Sequence, residues 1–427
     1  MNSSQEKMTV NDRVGADSIC PKIPRCPQMI SLPMFVYQRT FLYNGGKMEI
    51  YMDNSATTKP YKEAADAVYN TMMNTYGNPS SLHRLGKQAE DLLTQCRETV
   101  AKTLSADPHD LYFTSGGTES DNIAVLGYAY ANRRSGMRVI TQKTEHAAVL
   151  EPFKKLEADG FDVVYIGVDS NGFPNIDELK SAVNDDTILM SFMYVNNENG
   201  AIFPMEEIAS CKKSSKCALH VDAVQAYGKI NINPKRSRID MLSISSHKIH
   251  GPNGVGALYI KNSLKISPVI FGGHQEKNIR SGTENLAGIA GFAKAAEIKF
   301  KNMEADAEKI TGLKNRLRAG LVSEIDNVII NTPENSVSSI LNVSFPGVKS
   351  EVLLHVLESY SVYVSSGSAC NSKKSKFSYV LREMGLKDNE ADSAVRFSLS
   401  EFNTEEEIDR VCEILKEEIP KLRKIMR

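Results

Sequence analysis

Three short runs in the 427-residue chain combine residue types that can do chemistry. Thr114-Ser-Gly-Gly-Thr-Glu-Ser120 follows a predicted strand and opens a predicted helix. Backbone N–H groups at Gly116 and Gly117, the helix N-terminal dipole and the Thr118 hydroxyl make this turn a cradle for an anion such as phosphate. Taken alone, it reads equally as a Ser/Thr-rich helix cap. Its spacing fits neither the nucleoside-triphosphate loop nor G-x-G-x-x-G, which disfavours nucleoside triphosphates and NAD. The second run, His220-Val-Asp222-Ala-Val-Gln225, ends a β-branched strand on a carboxylate, where open α/β sheets bind ligands. Buried there, Asp222 needs a cation, and a protonated pyridine nitrogen would serve; the plainer alternative is an Asp capping the next helix. In the third run, Ser243-Ile-Ser-Ser-His-Lys248, a lysine ends an apolar strand ahead of a glycine-rich turn. Desolvation makes such an amine nucleophilic enough to condense with a carbonyl, whereas a snorkelling surface lysine is the alternative. Ser245 and His247 beside it are phosphate donors.

Together, in that chain order, an anion cradle, an acid suited to a pyridinium and a strand-end lysine are the parts of a pyridoxal 5'-phosphate enzyme. The chain resembles the cysteine desulfurases of the class-V aminotransferase group from about Tyr51 to its C-terminus. Landmarks in order are Tyr51 to Thr58, Tyr76 to Ser81, Phe113 to Ser120, Glu145-His146, Val195 to Glu198, Asp222 to Gln225, Ser245 to Lys248, Arg280 to Thr283, Ser365 to Cys370 and Arg396 to Leu399. The resemblance implies the fold-type I architecture, with Lys248 as the covalent attachment point and Asp222 paired with the pyridine nitrogen. It implies that Gln225 bonds the ring hydroxyl, that His146 stacks on the ring and shuttles protons, and that Asn197 lies beside the ring. Gly117, Thr118, Ser245 and His247 would hold the phosphate, Thr283 would reach it from a partner subunit of a homodimer, and Arg396 would bind the substrate carboxylate. Phe271-Gly-Gly-His274 and Asn371 depart from the family pattern, at positions mapped to loop geometry rather than to catalysis.

Which reaction the cofactor serves turns on Cys370. It sits in Ser365-Ser-Gly-Ser-Ala-Cys-Asn-Ser-Lys-Lys-Ser-Lys376, a small polar run that reads as a loop, beside lysines that favour thiolate. The resemblance implies that Cys370 takes sulfur from L-cysteine as a persulfide, leaves alanine, and passes the sulfur to an acceptor for iron–sulfur assembly or tRNA thiolation. The long form of the loop to Arg396 resembles the general iron–sulfur subgroup. Rivals are an aminotransferase, a selenocysteine lyase, or an idle scaffold that kept the fold. Cys20, Cys26, Cys211 and Cys217 lack zinc-knuckle spacing, Cys96 and Cys412 read as core packing, and no metal is assigned.

The elements that position these residues follow an α/β pattern. Strands are predicted at 110–114, 138–141, 162–166, 187–194, 219–222, 241–245 and 256–260, alternating with helices such as 119–134 and 147–159. This predicts a large, seven-stranded, mostly parallel sheet domain over residues 59–300. After about Thr283, helices at 284–308, 310–324 and 404–425 surround strands at 328–330, 339–344 and 394–400. They predict a smaller α+β domain formed by residues 48–58 plus 301–427. Residues 1–47, with Pro21, Pro24, Pro27 and Pro33, read as an irregular extension. Its mixed charge argues against an organelle transit peptide, and it lacks the layout of a secretion signal. Lys+Arg 51 against Asp+Glu 52 removes the electrostatic case for a nucleic-acid or anionic-membrane partner. Seven cysteines are too few for a disulfide scaffold, so a cytoplasmic protein is expected.

Overall fold

The computed structural model describes residues 49–214, 216–367 and 378–426. The expected extension at 1–47, and Cys370 with its neighbouring lysines, lie outside the described residues. Strand β1 (Ile50–Tyr51) is followed by β2 (Leu111–Thr114), β3 (Arg138–Gln142), β4 (Asp162–Ile166), β5 (Thr187–Met193), β6 (Ala218–Asp222), β7 (Met241–Ser245) and β8 (Gly256–Ile260). The seven strands β2 to β8 match the sequence expectation to within one residue. They form one sheet in the order β2-β8-β7-β6-β5-β3-β4, parallel except at β8, which runs antiparallel to β2 and β7. Every residue of β5, β6, β7 and β8 is buried, as expected of strands covered on both faces. Alternation divides their side chains. Ile140, Met190 and Leu219 enter one apolar cluster, and Val139, Leu189 and Ala218 enter another on the opposite face.

A third apolar cluster lies around the antiparallel strands β9 (Ile329–Ile330), β10 (Ile340–Ser344) and β12 (Ala394–Ser398), in the order β12-β10-β9. Strand β11 (Val362–Tyr363) pairs in parallel with β1, so the residues just before the site are tied to this second sheet region. The sequence predicts two helices at 284–308 and 310–324, but the structure has one, Leu286–Glu324. No proline interrupts it. The apolar residues divide between two cores across the charged stretch 301–309, Ile289, Phe292 and Ala296 facing the large-sheet core and Leu313, Leu317 and Leu321 facing the third cluster.

One ion pair fixes the loop that leads to Arg280 and Thr283. Glu276, Lys277 and Asn278 all hold positive φ, of 44°, 55° and 67°, a run that costs free energy at each non-glycine residue. The Glu276 side chain, 2% exposed, receives both Arg97 terminal nitrogens at 2.7 Å, and its Oε2 accepts the Phe113 N–H at 3.0 Å. The Arg97 side chain also lies over the Phe113 ring. Replacing Arg97 by Met leaves a buried carboxylate without its cation, which costs about 3–5 kcal/mol. Denaturant unfolding of the variant checks this value.

Candidate active site

Six of the seven strands run parallel, so their carboxyl ends share one edge of the sheet, and nearly every candidate residue falls there. After β2 the chain turns at Gly116, whose φ of +150° suits glycine, and Gly117 starts a helix. A Cβ on Gly117 would lie 2.6 Å from Val224 Cγ2. Gly256, opposite Thr114 and Ser245 in register, brings its own backbone so near that a Cβ there would lie 2.7 Å from Gly116 Cα. The turn is thus packed closely at a helix start, with Thr118 exposed beside it and the buried Ser245 behind it. Glu119 braces its rim, with Oε2 accepting from the Ser115 N–H and Oε1 from Arg280 Nε, both at 2.7 Å.

At the end of β6, Asp222 is buried, and its Oδ1 accepts the Val224 N–H at 2.9 Å. Burial raises its pKa, against the opposing influence of His146, the Val224 N–H and Lys248. His146 caps the helix after β3, its Nδ1 accepting the Ala148 N–H at 3.1 Å, so the neutral ring carries its proton on Nε2. Lys248 closes a short 3-10 turn after β7, and its Nζ donates to the carbonyls of Ser55 and, at 2.8 Å, Ala56. His247 has its pKa lowered to about 4 by burial, then by Lys248 and Lys229, so it is a neutral donor at neutral pH. Gln225 donates from Nε2 to the same Ser55 carbonyl at 2.9 Å.

Arg396 reaches the site from β12. It is 2% exposed, donating from one terminal nitrogen to the Asn197 carbonyl at 2.9 Å and from the other to Asp53 Oδ1 at 2.8 Å. Its Nε and the Asn197 Oδ1 are buried without hydrogen-bond partners among the described residues. Thr283 stands apart, exposed in the loop before helix Leu286–Glu324 and without a side-chain hydrogen bond among the described residues. The four described cysteines are poor nucleophiles. Burial raises Cys96 and Cys412 to about 11 and Cys217 to about 12, and raises Cys211 as well.

Sequence reasoning missed a layer of buried polar residues beneath the edge. His220 bridges Ser191 Oγ at 2.8 Å and Ser243 Oγ at 3.0 Å, and burial lowers its pKa to about 3. Asp121 lies 3.5 Å from the same ring, and its pKa is pushed well above the ordinary value by burial and then by Asp222. Glu145 behaves alike, and its Oε1 accepts from Gln142 Nε2 at 2.9 Å. Burial raises the pKa of all three neighbouring buried acids, and the Asp222 charge adds to the rise at Asp121 and Glu145. Asp121 sits four residues past Gly117, one turn into the helix, the one sequence signal that could have flagged it.

This arrangement of strand-end acid, strand-end lysine and glycine turn is that of a fold-type I enzyme. The aminotransferase class-V family model matches residues 50–411, and the chain belongs to that family. It is 42% identical over 374 residues to cysteine desulfurase IscS of Methanosarcina thermophila, covering 88% of this chain and 93% of that protein. Among solved structures, a NifS-like protein superposes with a TM-score of 0.81 at 38% identity, over 89% of this chain and 99% of that one. SspA, solved in complex with cysteine, gives 0.74 at 30% identity over 83% of this chain and the whole of its own.

The buried acids make stability depend on pH. Burial and Asp222 raise the Asp121 pKa above its unfolded value of 3.8, so its contribution is fullest below that pH and declines as pH rises towards the folded value. His220 is opposite, contributing above 6.5 and losing that contribution as pH falls towards about 3. In cofactor-free protein, Asp121→Asn should therefore gain stability relative to wild type as pH goes from 4 to 8. Urea denaturation across that range measures the slope; a difference that does not change with pH contradicts the raised pKa.

Proposed function

We propose that this protein is a pyridoxal 5'-phosphate-dependent cysteine desulfurase that converts L-cysteine to L-alanine and passes the sulfur through Cys370. The observation that carries the reading is the meeting of Asp222, Lys248 and the Gly116–Thr118 turn on one edge of the sheet. The residues fit the cofactor on three counts. Asp222 is a buried acid without a salt-bridge partner among the described residues, the right partner for a pyridinium; the turn at Gly116 and Gly117 presents backbone at a helix start with the Thr118 hydroxyl beside it; and Asn197 Oδ1 has no hydrogen-bond partner among the described residues. When bound, pyridoxal phosphate supplies an electron sink for the bonds at the substrate Cα.

The chain's own residues do the rest. Lys248 attaches the cofactor, and Gly117, Thr118, Ser245 and His247 hold the phosphate. Gln225 faces the ring hydroxyl and Asn197 the ring, while His146 covers the ring face and moves protons at Nε2. Arg396, held by Asp53 and the Asn197 carbonyl, offers its unpartnered Nε to the substrate carboxylate. The Cys370 thiolate attacks the substrate sulfur. The S–S bond forms as the Cβ–S bond breaks, and the electron pair stays with carbon, which takes a proton to become the alanine methyl. The persulfide then serves an acceptor for iron–sulfur assembly or tRNA thiolation. The high thiol pKa values of the four described cysteines support Cys370 in this role.

A homodimer belongs to the same proposal, with Thr283 serving the partner's phosphate. Tyr69, Met72, Met73 and Tyr76 recur at helical spacing and are all more than half exposed, with Leu82 near them in sequence, a patch suited to burial against a second copy. The division into a large domain at 59–300 and a small one at 48–58 with 301–427 is proposed as well. So is a cytoplasmic location, where a persulfide-forming thiol is kept reduced; among the described residues no helix is long and apolar enough to cross a membrane.

Replacing Cys370 by Ser should abolish sulfide release from cysteine under reductant while leaving the visible absorbance of the bound cofactor intact. Replacing Lys248 by Ala should remove that absorbance. Sulfide release at the wild-type rate from the Cys370 variant would refute the desulfurase mechanism. For the dimer, Met72→Glu with Met73→Glu should shift the sedimentation coefficient from dimer to monomer, and an active wild-type monomer would remove the assignment.

A further inference from the structure

Arg396 and Asp53, far apart in sequence, form an ion pair at 2.8 Å. Backbone contacts hold both partners in place. Ser398, two residues after Arg396, accepts the Asn54 N–H on its carbonyl at 3.2 Å and donates its own N–H to the Met52 carbonyl at 2.7 Å. Its Oγ accepts the Ser55 N–H at 2.9 Å, and Asp53 and Ser398 form a parallel bridge. The Tyr51 hydroxyl, donating to the Asp53 and Thr57 carbonyls at 3.1 and 2.9 Å, closes the turn that follows. The Arg396 side chain is 2% exposed and the Asp53 side chain 20%, so the acid lies on the more open side of the pair. Among the described residues Asp53 is the one carboxylate in ion-pair range of Arg396; the other terminal nitrogen donates to a neutral group, the Asn197 carbonyl, at 2.9 Å. The guanidinium assigned to a substrate carboxylate therefore already carries a carboxylate of its own.

We propose that Asp53 is a positioning residue that fixes the plane of the Arg396 guanidinium and offsets its charge, weakening carboxylate binding enough for the product L-alanine to leave. The inference rests on Arg396 being the contact for the substrate carboxylate. A guanidinium has five N–H donors, enough to hold Asp53, the Asn197 carbonyl and a further carboxylate together. Asp53 can then stay in place, and its charge opposes the incoming one. Cysteine and alanine carry the same carboxylate and differ only in the sulfur on Cβ. A contact to that carboxylate cannot tell them apart, so any gain in holding substrate there is an equal gain in retaining product. Repulsion between like charges on two sides of one guanidinium, damped by the surrounding protein and solvent, is worth on the order of tenfold in binding.

The test titrates the full-length, cofactor-loaded protein with L-alanine and with ethylamine, which is alanine without its carboxylate. Binding is read from the change in visible absorbance of the bound cofactor. Asp53→Asn, which keeps an oxygen acceptor for Arg396 but no charge, should bind L-alanine about tenfold more tightly than wild type and ethylamine equally well. Asp53→Ser, uncharged and smaller, should tighten alanine binding in the same direction, which keeps the test open if the Asn variant does not fold. Alanine binding that is unchanged or weaker in the folded variants overturns the proposal, because an acid that only holds Arg396 in place would give that result. Equal tightening of alanine and ethylamine also overturns it, since the change would then lie in the shape of the pocket. Arg396→Gln should bring alanine to the affinity of ethylamine; alanine binding at the wild-type level in that variant overturns instead the reading of Arg396 itself.

Discussion

The site depends on keeping one charge where water cannot reach it. Asp222 ends β6 inside the protein, among strands buried on both faces, and burial works against its ionised form. The surroundings meet that cost by withdrawing competing charge rather than by supplying an ion pair. Burial and the Asp222 charge push the Asp121 and Glu145 pKa values up, and His220 stays neutral between two serine hydroxyls. The groups that oppose the rise of the Asp222 pKa, His146, the Val224 N–H and Lys248, lie at the sheet edge. A site arranged this way is preorganised for a cationic ring and has little to offer an anionic or neutral one at that point.

Backbone rather than side chain shapes the other half of the edge. Gly116, Gly117 and Gly256 approach so closely that a methyl group at Gly117 or Gly256 would meet its neighbours at under 3 Å. The segment Ser55–Thr58 closes the site from the other side by its carbonyl groups and by hydrogen bonds between Thr58 and His247. Arg396 comes from the second sheet region, whereas Asp222 and Lys248 come from the large sheet, so the proposed substrate and cofactor contacts belong to different parts of the fold.

Much of this was legible in the sequence. The seven strands of the large sheet were readable because β-branched runs alternate with amphipathic stretches and end in turn residues. The glycine turn, Asp222 and Lys248 stood out because each places an unusual group at a strand end. The single helix Leu286–Glu324 was not readable, since the charged stretch 301–309 between its two apolar parts resembles a break when only local periodicity is seen. The Arg97–Glu276 clamp and the buried Asp121 beside His220 were also hidden. Each joins residues that only the folded sheet brings together, and a charged residue meets the same reading in sequence whether it is solvated or buried.

That helix has a mechanical consequence. Thirty-nine residues at about 1.5 Å each make a rod of roughly 58 Å whose two halves are embedded in different hydrophobic cores. Near its middle, buried Lys299 bonds to Asp306 on the same rod and to Glu401 beyond it. A rod anchored at both ends resists bending and transmits twist, so the arm carrying Arg396 cannot swing about a soft joint at this point.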